Sequence, residues 1–483
     1  MSSRLKFVLV LSPLLLVANA DLAGAQTGVT FFRSDHGLAS AKPGSLPDRF
    51  EAPTKLRWRT PVDSGQSSAI VSRGRVFLTS YRAAARELAT VALDQNSGQV
   101  LWRQIAPIQR IEQLHDTMGN PAAATPACDG QRVFVFFGSY GLICYDLKGR
   151  KQWEHALGPF RDEYGASSSP MLVDDKVILC EDHNIDSFLI AFNARTGKLL
   201  WKTPRPNAVR SYSTPAVWTQ AGRKQLLVAG ALELAGYDPA NGEKLWWVNG
   251  LARIVIPAPM PAGDTIFMAA WAPGGDANAR LSLDSWKGAL EKWDKNHDQK
   301  LAKDEIDDGA VLDRYYRMDL DQDGLLNQME WERIVAVFNR AENAALAVKP
   351  TGRGDLTDQA ILWKYRRGVP YVPTPLVHNG VFWMVKDGGI VTRLDAASGR
   401  LLSEERLPGP GNYYASPVAG DGKVYFASEA GVVSVVADEP EWRVISSHKF
   451  DGKIYGTPVL DGGRILIRTG ESVYCYEREP ARR

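Results

Sequence analysis

The sequence predicts an all-β fold, an eight-bladed β-propeller with a small α-helical insertion in blade five. Three observations support this prediction. A strand–turn–strand phrase ending in tryptophan recurs along the chain, a proline-containing phrase precedes each copy at nearly constant spacing, and one stretch changes from strand to helix periodicity. A unit that cannot cover its own apolar face must stack on copies of itself, so the repeat determines the architecture.

The tryptophan phrase is typical of two strands joined by a tight turn. Its copies are Val91–Trp102, Cys144–Trp153, Ala191–Lys202, Ala235–Trp246 and Thr392–Leu402, the last without tryptophan. Asp or Asn opens the turn because its short side chain can bond the backbone two residues on. The glycine that follows provides a positive φ that other residues resist. The next apolar run predicts a strand whose large ring needs a neighbour to cover it.

The spacing of the proline-containing phrase predicts the number of blades. Its anchor residues are Ala69, Pro126, Pro170, Pro215, Pro259, Pro375, Pro417 and Pro458. Because a propeller blade takes ~40–45 residues, these eight anchors predict eight blades. The last anchor is followed by chain for three strands, whereas Lys55–Arg59 has the pattern of an unmatched fourth strand. We therefore expect this N-terminal segment to complete the last blade and leave no open sheet edge.

The beginning of the chain and its charge indicate export. In residues 1–25, Arg4 and Lys6 precede an apolar run and then small residues, which is the pattern of a secretory signal peptide. The 57 basic and 55 acidic residues give a net charge of +2, which argues against a nucleic-acid partner. No later apolar run reaches the ~18 residues of a membrane span. We expect a secreted or periplasmic protein.

The step of 116 residues between Pro259 and Pro375 indicates an insertion in blade five. Leu281–Asp284 is interpreted as the third strand of that blade and Ala360–Lys364 as the fourth. The insertion should then replace the turn between them and project from the face opposite the channel mouth. The predicted organisation is a signal peptide at 1–25, the propeller at 30–284 and 359–479, and the insertion at 285–358.

Two segments of the insertion match the calcium loop of an EF-hand. Asp319–Glu330 has oxygen ligands at positions 1, 3 and 5, glycine at 6, a carbonyl at 7 and glutamate at 12. Asp294–Glu305 has Gln299 in the glycine position and Ala302 at position 9, so we expect weaker binding there. Exported proteins meet enough calcium to fill sites of ~10⁻⁴ M affinity, which favours a structural role. The predicted ligands are Asp294, Asn296, Asp298, Lys300, Glu305, Asp319, Asp321, Asp323, Leu325 and Glu330.

Several polar groups lie in loops that we expect at the channel mouth. His115 with Asp116, and Asp182 with His183, could form a metal or acid–base cluster across neighbouring blades. Tyr212 and Tyr414 stand three residues before anchor prolines and are expected to line the channel. The alternative is that these are ordinary polar loops and tyrosines that fill a narrow channel, and we assign no catalytic residue.

The repeat resembles that of the pyrroloquinoline-quinone (PQQ) type propellers, over about residues 30–480 apart from the insertion. This family includes quinoprotein alcohol dehydrogenases and the lipoprotein propeller of the outer-membrane assembly machine. Phe32–Gly37 is also similar to the opening of many secreted members. The resemblance implies the fold more strongly than any chemistry, because many members bind no quinone.

The function that we expect is a calcium-binding, non-catalytic recognition or scaffold module for protein or polysaccharide. The alternative is a PQQ-dependent oxidoreductase that acts on alcohols or sugars. The resemblance implies that such enzymes hold the quinone between a tryptophan floor and a disulfide of adjacent cysteines, and this chain has no adjacent cysteine pair. Cys144 and Cys475 occupy equivalent places in two repeats, which suits small buried thiols. The partner and the oligomeric state stay open.

Overall fold

The computed structural model describes residues 29–38, 45–51, 54–115, 118–160, 162, 164–276 and 282–478. The predicted signal peptide at 1–25, as well as Asp116 and Leu281, lies outside these described residues. Within them, no helix combines the length and the apolar character needed to cross a bilayer.

Eight antiparallel blades confirm the predicted eight-bladed propeller. The first strand, β1 (Thr54–Pro61), belongs to the last blade. Blades one to four contain β2 (Ile70–Ser72), β3 (Arg75–Arg82), β4 (Glu87–Asp94) and β5 (Val100–Ile105); β6 (Ala127–Cys128), β7 (Arg132–Phe137), β8 (Gly141–Asp146) and β9 (Lys151–Ala156); β10 (Met171–Val173), β11 (Lys176–Glu181), β12 (Phe188–Asn193) and β13 (Leu199–Pro204); and β14 (Ala216–Gln220), β15 (Arg223–Gly230), β16 (Glu233–Tyr237) and β17 (Lys244–Asn249).

The remaining blades follow the same order. Blades five to eight contain β18 (Met260–Ala262), β19 (Thr265–Ala270), β22 (Ala344–Val348) and β24 (Ile361–Tyr365); β25 (Leu376–His378), β26 (Val381–Lys386), β27 (Ile390–Asp395) and β28 (Leu401–Arg406); β29 (Val418–Gly420), β30 (Lys423–Ala427), β31 (Val432–Ala437) and β32 (Val444–Lys449); and β33 (Val459–Asp461), β34 (Arg464–Arg468) and β35 (Ser472–Arg478) with β1. In addition, β23 (Gly354–Asp355) pairs in parallel with β17 as a fifth strand of blade four.

Blade eight closes the ring with strands from both ends of the described chain. β1 pairs antiparallel with β35, and Trp58 stands opposite Cys475. Trp58, Cys475 and Val473 are buried in one core cluster with residues of blade one. Cys144 and Cys475 are buried free thiols, as predicted. The sheet edge of β35 is therefore covered by the N-terminal strand.

Five tryptophans in fourth strands join neighbouring blades, whereas Trp246 of blade four donates to Gln225 of its own blade. The indole N–H of Trp102, in the fourth strand of blade one, donates to the carbonyl of Leu147 in a turn of blade two at 3.0 Å. Equivalent bonds are made by Trp58, Trp153, Trp201 and Trp363. The neighbour that the ring requires is therefore the turn of the next blade.

The third strand of blade five differs from the one predicted. The third strand is β22, at Ala344–Val348, and not Leu281–Asp284 as the sequence suggested. All five residues of β22 are buried, so it lacks the polar–apolar alternation that marks a half-exposed strand. Residues 282–284 form no strand and lead into the first helix of the insertion.

Because the third strand is β22, the insertion lies at the opposite face of the propeller from the one predicted. Residues 271–343 connect the second strand to the third, and not the third to the fourth. In a propeller, second-to-third loops and the loops between blades lie at the same face. The predicted boundaries of 285–358 and the projection from the opposite face are therefore wrong.

The insertion is a compact helical unit with its own core. It contains α1 (Trp286–Trp293), β20 (Leu301–Ala302), α2 (Gly309–Leu312), α3 (Tyr315–Met318), β21 (Leu325–Leu326) and α4 (Gln328–Arg340), and α5 (Thr357–Ala360) follows β22. Trp331 is fully buried at its centre and packs against the rings of Trp286 and Trp293. The Ser285 hydroxyl caps α1, and Asn327 and Glu330 form a capping box at α4. Leu301 pairs with Leu326, as predicted.

Candidate functional site

A belt of hydroxyl groups surrounds the propeller axis just before the anchor residues. The backbone N–H of each of seven belt residues donates to a hydroxyl of the next blade at 2.9–3.1 Å; the donors are Ser68, Thr125, Ser169, Ala258, Thr374, Ser416 and Thr457. Ala258 donates but has no hydroxyl to accept, which interrupts the belt in blade five. Because buried N–H groups need acceptors, the belt holds the first strands of neighbouring blades together without placing any charge at the axis.

Above the belt lies a funnel of about 210 Å³ with an aromatic wall. The tyrosines that line it are Tyr164, Tyr212, Tyr371, Tyr414 and Tyr455. Both tyrosines singled out from the sequence, Tyr212 and Tyr414, are in this set. Glu429 is the one carboxylate among the described lining residues, and it accepts bonds from the Tyr455 hydroxyl at 3.1 Å and from Lys453 Nζ at 2.8 Å.

The segment 29–38 closes the other end of the channel. Phe32 lies at the floor of the funnel. Arg33 is buried along the axis, where its guanidinium donates to the carbonyl oxygens of Pro417 at 2.9 Å and Pro375 at 3.1 Å. Burial lowers the pKa of Arg33 to about 10. The opening motif that resembles secreted propellers is therefore a plug held by anchor residues, a role that its sequence does not reveal.

The predicted acid–base residues have separate structural partners. His115 stacks on Tyr164 with ring centroids 5.4 Å apart, while Asp116 lies outside the described residues. Asp182 is buried and forms two bonds to Arg205, at 2.6 and 2.8 Å. His183 points to other groups and stacks on the ring of Phe160 at 4.3 Å. Asp182 and His183 are therefore neighbours in sequence that bond different partners.

His183 belongs to a buried acidic cluster that sequence reasoning did not identify. Its Nδ1 lies 3.4 Å from Asp162 and its Nε2 lies 3.4 Å from Glu181. Burial alone would lower the pKa of His183, but its bonds to Asp162 and Glu181 raise it to about 10. Burial raises the pKa of Glu181 to about 7 and that of nearby Glu112 to about 8. Glu112, Asp162 and the pair Glu181 and His183 come from separate parts of the sequence, and no spacing rule relates them.

The cluster is connected to the funnel through a tyrosine. The hydroxyl of Tyr212 donates to Asp162 at 2.6 Å, while the same residue lines the funnel. Glu112 accepts from the backbone N–H of Ala166 at 3.0 Å and fixes the loop that carries Tyr164. The cluster therefore sets the position of the funnel wall between blades two and three.

The second calcium-type loop brings its oxygens together. Carboxylate oxygens of Asp319, Asp321 and Asp323 lie within 4.8 Å of one another. Glu330 folds back over the loop and accepts from the backbone N–H of Leu320 at 2.7 Å. Hard, converging oxygen donors of this kind fit Ca²⁺.

The first loop repeats the arrangement with a different sixth residue. Glu305 accepts from the backbone N–H groups of Lys295 and Asn296 at 3.1 and 3.3 Å, as Glu330 does in the second loop. Gln299 has a φ of +63°, whereas Gly324 in the equivalent position has +88°. A side-chain residue is therefore held in the left-handed conformation that glycine adopts without cost.

The insertion contacts the loops at the channel mouth. Gln113 Nε2 donates to the Tyr316 hydroxyl at 2.5 Å, and Arg333 donates to the carbonyls of Asn184 and Pro206 at 3.2 and 2.9 Å. An apolar contact adds to these bonds; it contains Val209, Ala231, Leu232, Val337 and Ala341. The helical unit is thus packed against blades three and four beside the funnel.

Comparison with known proteins places this architecture among PQQ-repeat propellers. The family described as outer membrane protein assembly factor BamB matches residues 49–159, 87–252 and 336–483. BamB of Yersinia pestis is 22% identical over 420 residues, which cover 84% of this chain and 94% of that protein. Quinohemoprotein alcohol dehydrogenase ADH IIB of Pseudomonas putida is 27% identical over 125 residues, and the chain spans 17% of its length.

Solved structures share the fold at low sequence identity. BamB from Moraxella catarrhalis has a TM-score of 0.51 at 12% identity, covering 88% of this chain and 99% of that one. A europium-containing methanol dehydrogenase has a TM-score of 0.60 at 9% identity, covering 93% and 98%. At such identities the likeness establishes the propeller and not the chemistry.

The described funnel does not fit the quinone that some propellers of this type hold. The quinone carries three carboxylates and needs cationic partners, but the described funnel lining contains no arginine or lysine and does contain Glu429. The four cysteines are separate buried thiols. No tryptophan lies among the described lining residues to serve as a floor. The groups present suit neutral hydrogen bonding and aromatic packing instead.

Proposed function

The chain belongs to the PQQ-repeat family described as outer membrane protein assembly factor BamB, and from this membership we propose that it is an exported, non-catalytic scaffold that binds a protein partner at its funnel face. The observation that carries the proposal is the funnel itself, whose wall consists of tyrosines and hydroxyls. Tyrosine gives large, rigid contact area with a polar tip and is enriched in protein interfaces.

The polar chemistry near the funnel supports binding over catalysis. Asp182 is neutralised by Arg205, and His183 is enclosed by two carboxylates and Phe160. A general acid or base must reach its substrate within hydrogen-bond distance, and these two groups are buried with their bonds directed elsewhere. Tyr414 and Tyr455, by contrast, pack against each other with ring centroids 5.4 Å apart at the open surface.

Site-specific cross-linking tests the proposal. A photo-reactive amino acid at Tyr414 should form an adduct with one envelope protein, and Tyr455→Ala should reduce its yield. The matched control places the same group at Ser398, in an exposed turn between a third and a fourth strand. If adducts formed only from Ser398 and not from Tyr414, the partner would not bind at the funnel face. Competition of the Tyr414 adduct by a cell-wall or capsular glycan would identify a polysaccharide as the partner instead.

The enzyme alternative has a direct test. The match to the quinohemoprotein alcohol dehydrogenase is its support. Purified protein titrated with PQQ should show no tight binding and no dye-linked oxidation of alcohols or sugars. Stoichiometric binding together with turnover would replace the scaffold by an oxidoreductase.

The proposal includes calcium at the two loops of the insertion in a structural role. Its support is the convergence of carboxylate oxygens of Asp319, Asp321 and Asp323 to within 4.8 Å of one another, with Glu330 at position 12 of the loop. Calorimetry should detect calcium uptake that Glu330→Gln weakens strongly. Glu332→Gln is the matched control because Glu332 is exposed on the same helix. Equal uptake by both variants, or none by the unaltered protein, would contradict calcium at these loops.

A further inference from the structure

The insertion contacts three loops that build one side of the funnel. Gln113 lies in the connection between blades one and two, which also carries the funnel residue Met118. Asn184 lies in the second-to-third loop of blade three, and Pro206 lies in the connection between blades three and four, which carries Tyr212. Each of these loops forms a hydrogen bond with a side chain of the insertion. The helical unit is therefore placed to determine how this side of the funnel is arranged.

One of these contacts leads directly to the second calcium-type loop. Gln322 stands between two of the predicted ligands, and its Nε2 donates to the Tyr316 hydroxyl at 3.2 Å. The same hydroxyl accepts from Gln113 Nε2 at 2.5 Å. Glu112, the neighbour of Gln113, accepts at 3.0 Å from a backbone N–H of the loop that carries Tyr164. Tyr316 thus joins the calcium-type loop to the funnel wall between blades two and three.

A second contact runs along α4. Glu330 is at position 12 of the loop, and its carboxylate accepts three backbone N–H groups of the loop at 2.7–3.2 Å. One turn further along the helix, Arg333 makes the two hydrogen bonds to the loops of blade three. Val337 follows after another turn and shares an apolar cluster with Val209, three residues before Tyr212. The start of α4 at Glu330 therefore determines where the helix meets the connection between blades three and four.

The order of the loop depends on its charge. Carboxylate oxygens of Asp319, Asp321 and Asp323 converge to within 4.8 Å of one another. Like charges this close repel unless a cation lies between them. Loss of the cation should therefore loosen the loop at Gln322 and the first turn of α4 at Glu330, which is where both contacts begin.

We propose that the calcium loop at 319–330 positions the side of the funnel that carries Tyr164 and Tyr212. Tyr316 and Arg333 are the positioning residues, since each joins the insertion to a funnel loop. The inference rests on the calcium and the scaffold function proposed above, and it adds that binding of the partner depends on the cation. Calcium that is structural for the insertion is then structural for the binding face as well.

Hydrogen exchange of the full chain, in calcium and after addition of a calcium-selective chelator, tests the positioning without a partner. Chelation should speed exchange in the connections 106–115 and 205–212. The connection 407–414 is the internal reference, because its described hydrogen bonds go to blades six and seven. Equal exchange in both conditions, with calcium uptake shown by calorimetry, would overturn the proposal, and so would the absence of calcium uptake.

Conservative variants separate the two contacts. Tyr316→Phe keeps a ring that is 50% exposed and removes only the hydroxyl, so calcium should no longer slow exchange in 106–115. Arg333→Gln should have the same effect on 205–212. Both variants should keep calcium uptake, because neither residue is a predicted ligand. Glu332→Gln, exposed on the same helix, is the control and should leave both calcium effects unchanged. If calcium still slowed exchange in both variants, the positioning role of these side chains would be wrong.

The consequence for the partner is measured with the photo-reactive group at Tyr414. The yield of its adduct should fall roughly fivefold or more after chelation, in the usual range for coupling between two sites. Tyr316→Phe should reduce this dependence on calcium. An adduct yield that is the same with and without calcium would overturn the coupling. A calcium effect on exchange without any adduct would support the positioning and overturn the scaffold proposal instead.

Discussion

At the scale of single residues, the repeat phrase specifies contacts between blades as well as turns within them. Each phrase glycine lies under the tryptophan of the preceding blade: a Cβ added at Gly98, Gly149, Gly197, Gly242 or Gly399 would lie 2.3–2.8 Å from its nearest neighbour atom, with tryptophan ring atoms among the closest contacts. These glycines also have φ near +70 to +80°. The glycine therefore meets two needs at once, a left-handed turn and room for the ring.

Gly197→Ala should destabilise the protein more than Gly222→Ala. Both glycines have positive φ, +71° and +77°, so both substitutions strain the backbone alike. The new methyl at 197 would lie 2.7 Å from the ring of Trp153, whereas 222 has open space. We expect an additional loss of roughly 1–3 kcal/mol at 197, the usual cost of overpacking. Urea unfolding of the two variants measures the difference, and equal losses would show that the tryptophan contact does not limit the turn.

The buried cluster predicts a decline of stability with rising pH. Burial raises the pKa of Glu112 from 4.5 to about 8, so the folded protein keeps a proton that the unfolded chain releases. This contribution to stability is complete below about pH 4.5 and is lost as the pH rises towards about 8. Glu112→Gln removes the titration, so its free energy of unfolding should fall less between pH 5 and pH 8 than that of the unaltered protein.

The matched control for this prediction is Glu332→Gln, at an exposed position on α4. It should reproduce the pH dependence of the unaltered protein. If Glu112→Gln also reproduced it, Glu112 would be ionised in the folded state.

Local patterns predicted those features that a short stretch encodes. The convergence of Asp319, Asp321 and Asp323 beside Gly324 and the place of Tyr212 and Tyr414 in the funnel follow from a fixed spacing to a glycine or a proline, so the sequence identified them. The cluster of Glu112, Asp162, Glu181 and His183 depends on three separate loops, and contact between loops has no periodic signature. For the same reason, Arg33 could not be recognised as the residue that plugs the axis.

At the scale of elements, the hardest strand to recognise was a fully buried one. β22 is Ala344–Val348, a short apolar run without alternation, whereas residues 281–284 alternate and resemble a half-exposed strand. A buried strand and a buried helix segment look alike over so few residues. Counting anchors still gave the correct number of blades, because the count depends on the spacing between repeats and not on any single strand.

Removal of β1 should strongly reduce the stability of the fold and the cooperativity of its unfolding. Without residues 54–61, the edge of β35 loses its partner and Trp58 leaves the core that joins blades eight and one. Opening a closed ring also exposes a sheet edge that can pair with other chains. Thermal unfolding should show a much lower, broadened transition accompanied by aggregation. Leu56→Ala is the control, since Leu56 is 41% exposed on the same strand and its truncation should change the midpoint little.

At the scale of the whole molecule, a ring of similar blades can carry a large insertion because lengthening one loop leaves the strands and the packing between blades unchanged. The insertion begins and ends at one point: Ala270 and Ala344 are paired residues of adjacent strands β19 and β22. Its core clusters around Trp331 and is separate from the clusters of the blades. It meets the propeller through a small apolar contact and a few hydrogen bonds at the funnel face. The architecture is therefore modular at blade five.

Replacement of residues 271–343 by Asn-Gly should leave a folded propeller. Antiparallel strands whose last residues are paired can be joined by a two-residue turn, and Asn-Gly favours the turn that matches strand twist. The shortened protein should keep a cooperative thermal transition and lose calcium uptake. Its midpoint should fall because Val209 and Leu232 lose their cover from α4. The full chain, prepared in the same way, is the control. If the shortened chain failed to fold where the full chain folds, the helical unit would be part of the ring and not an addition to it.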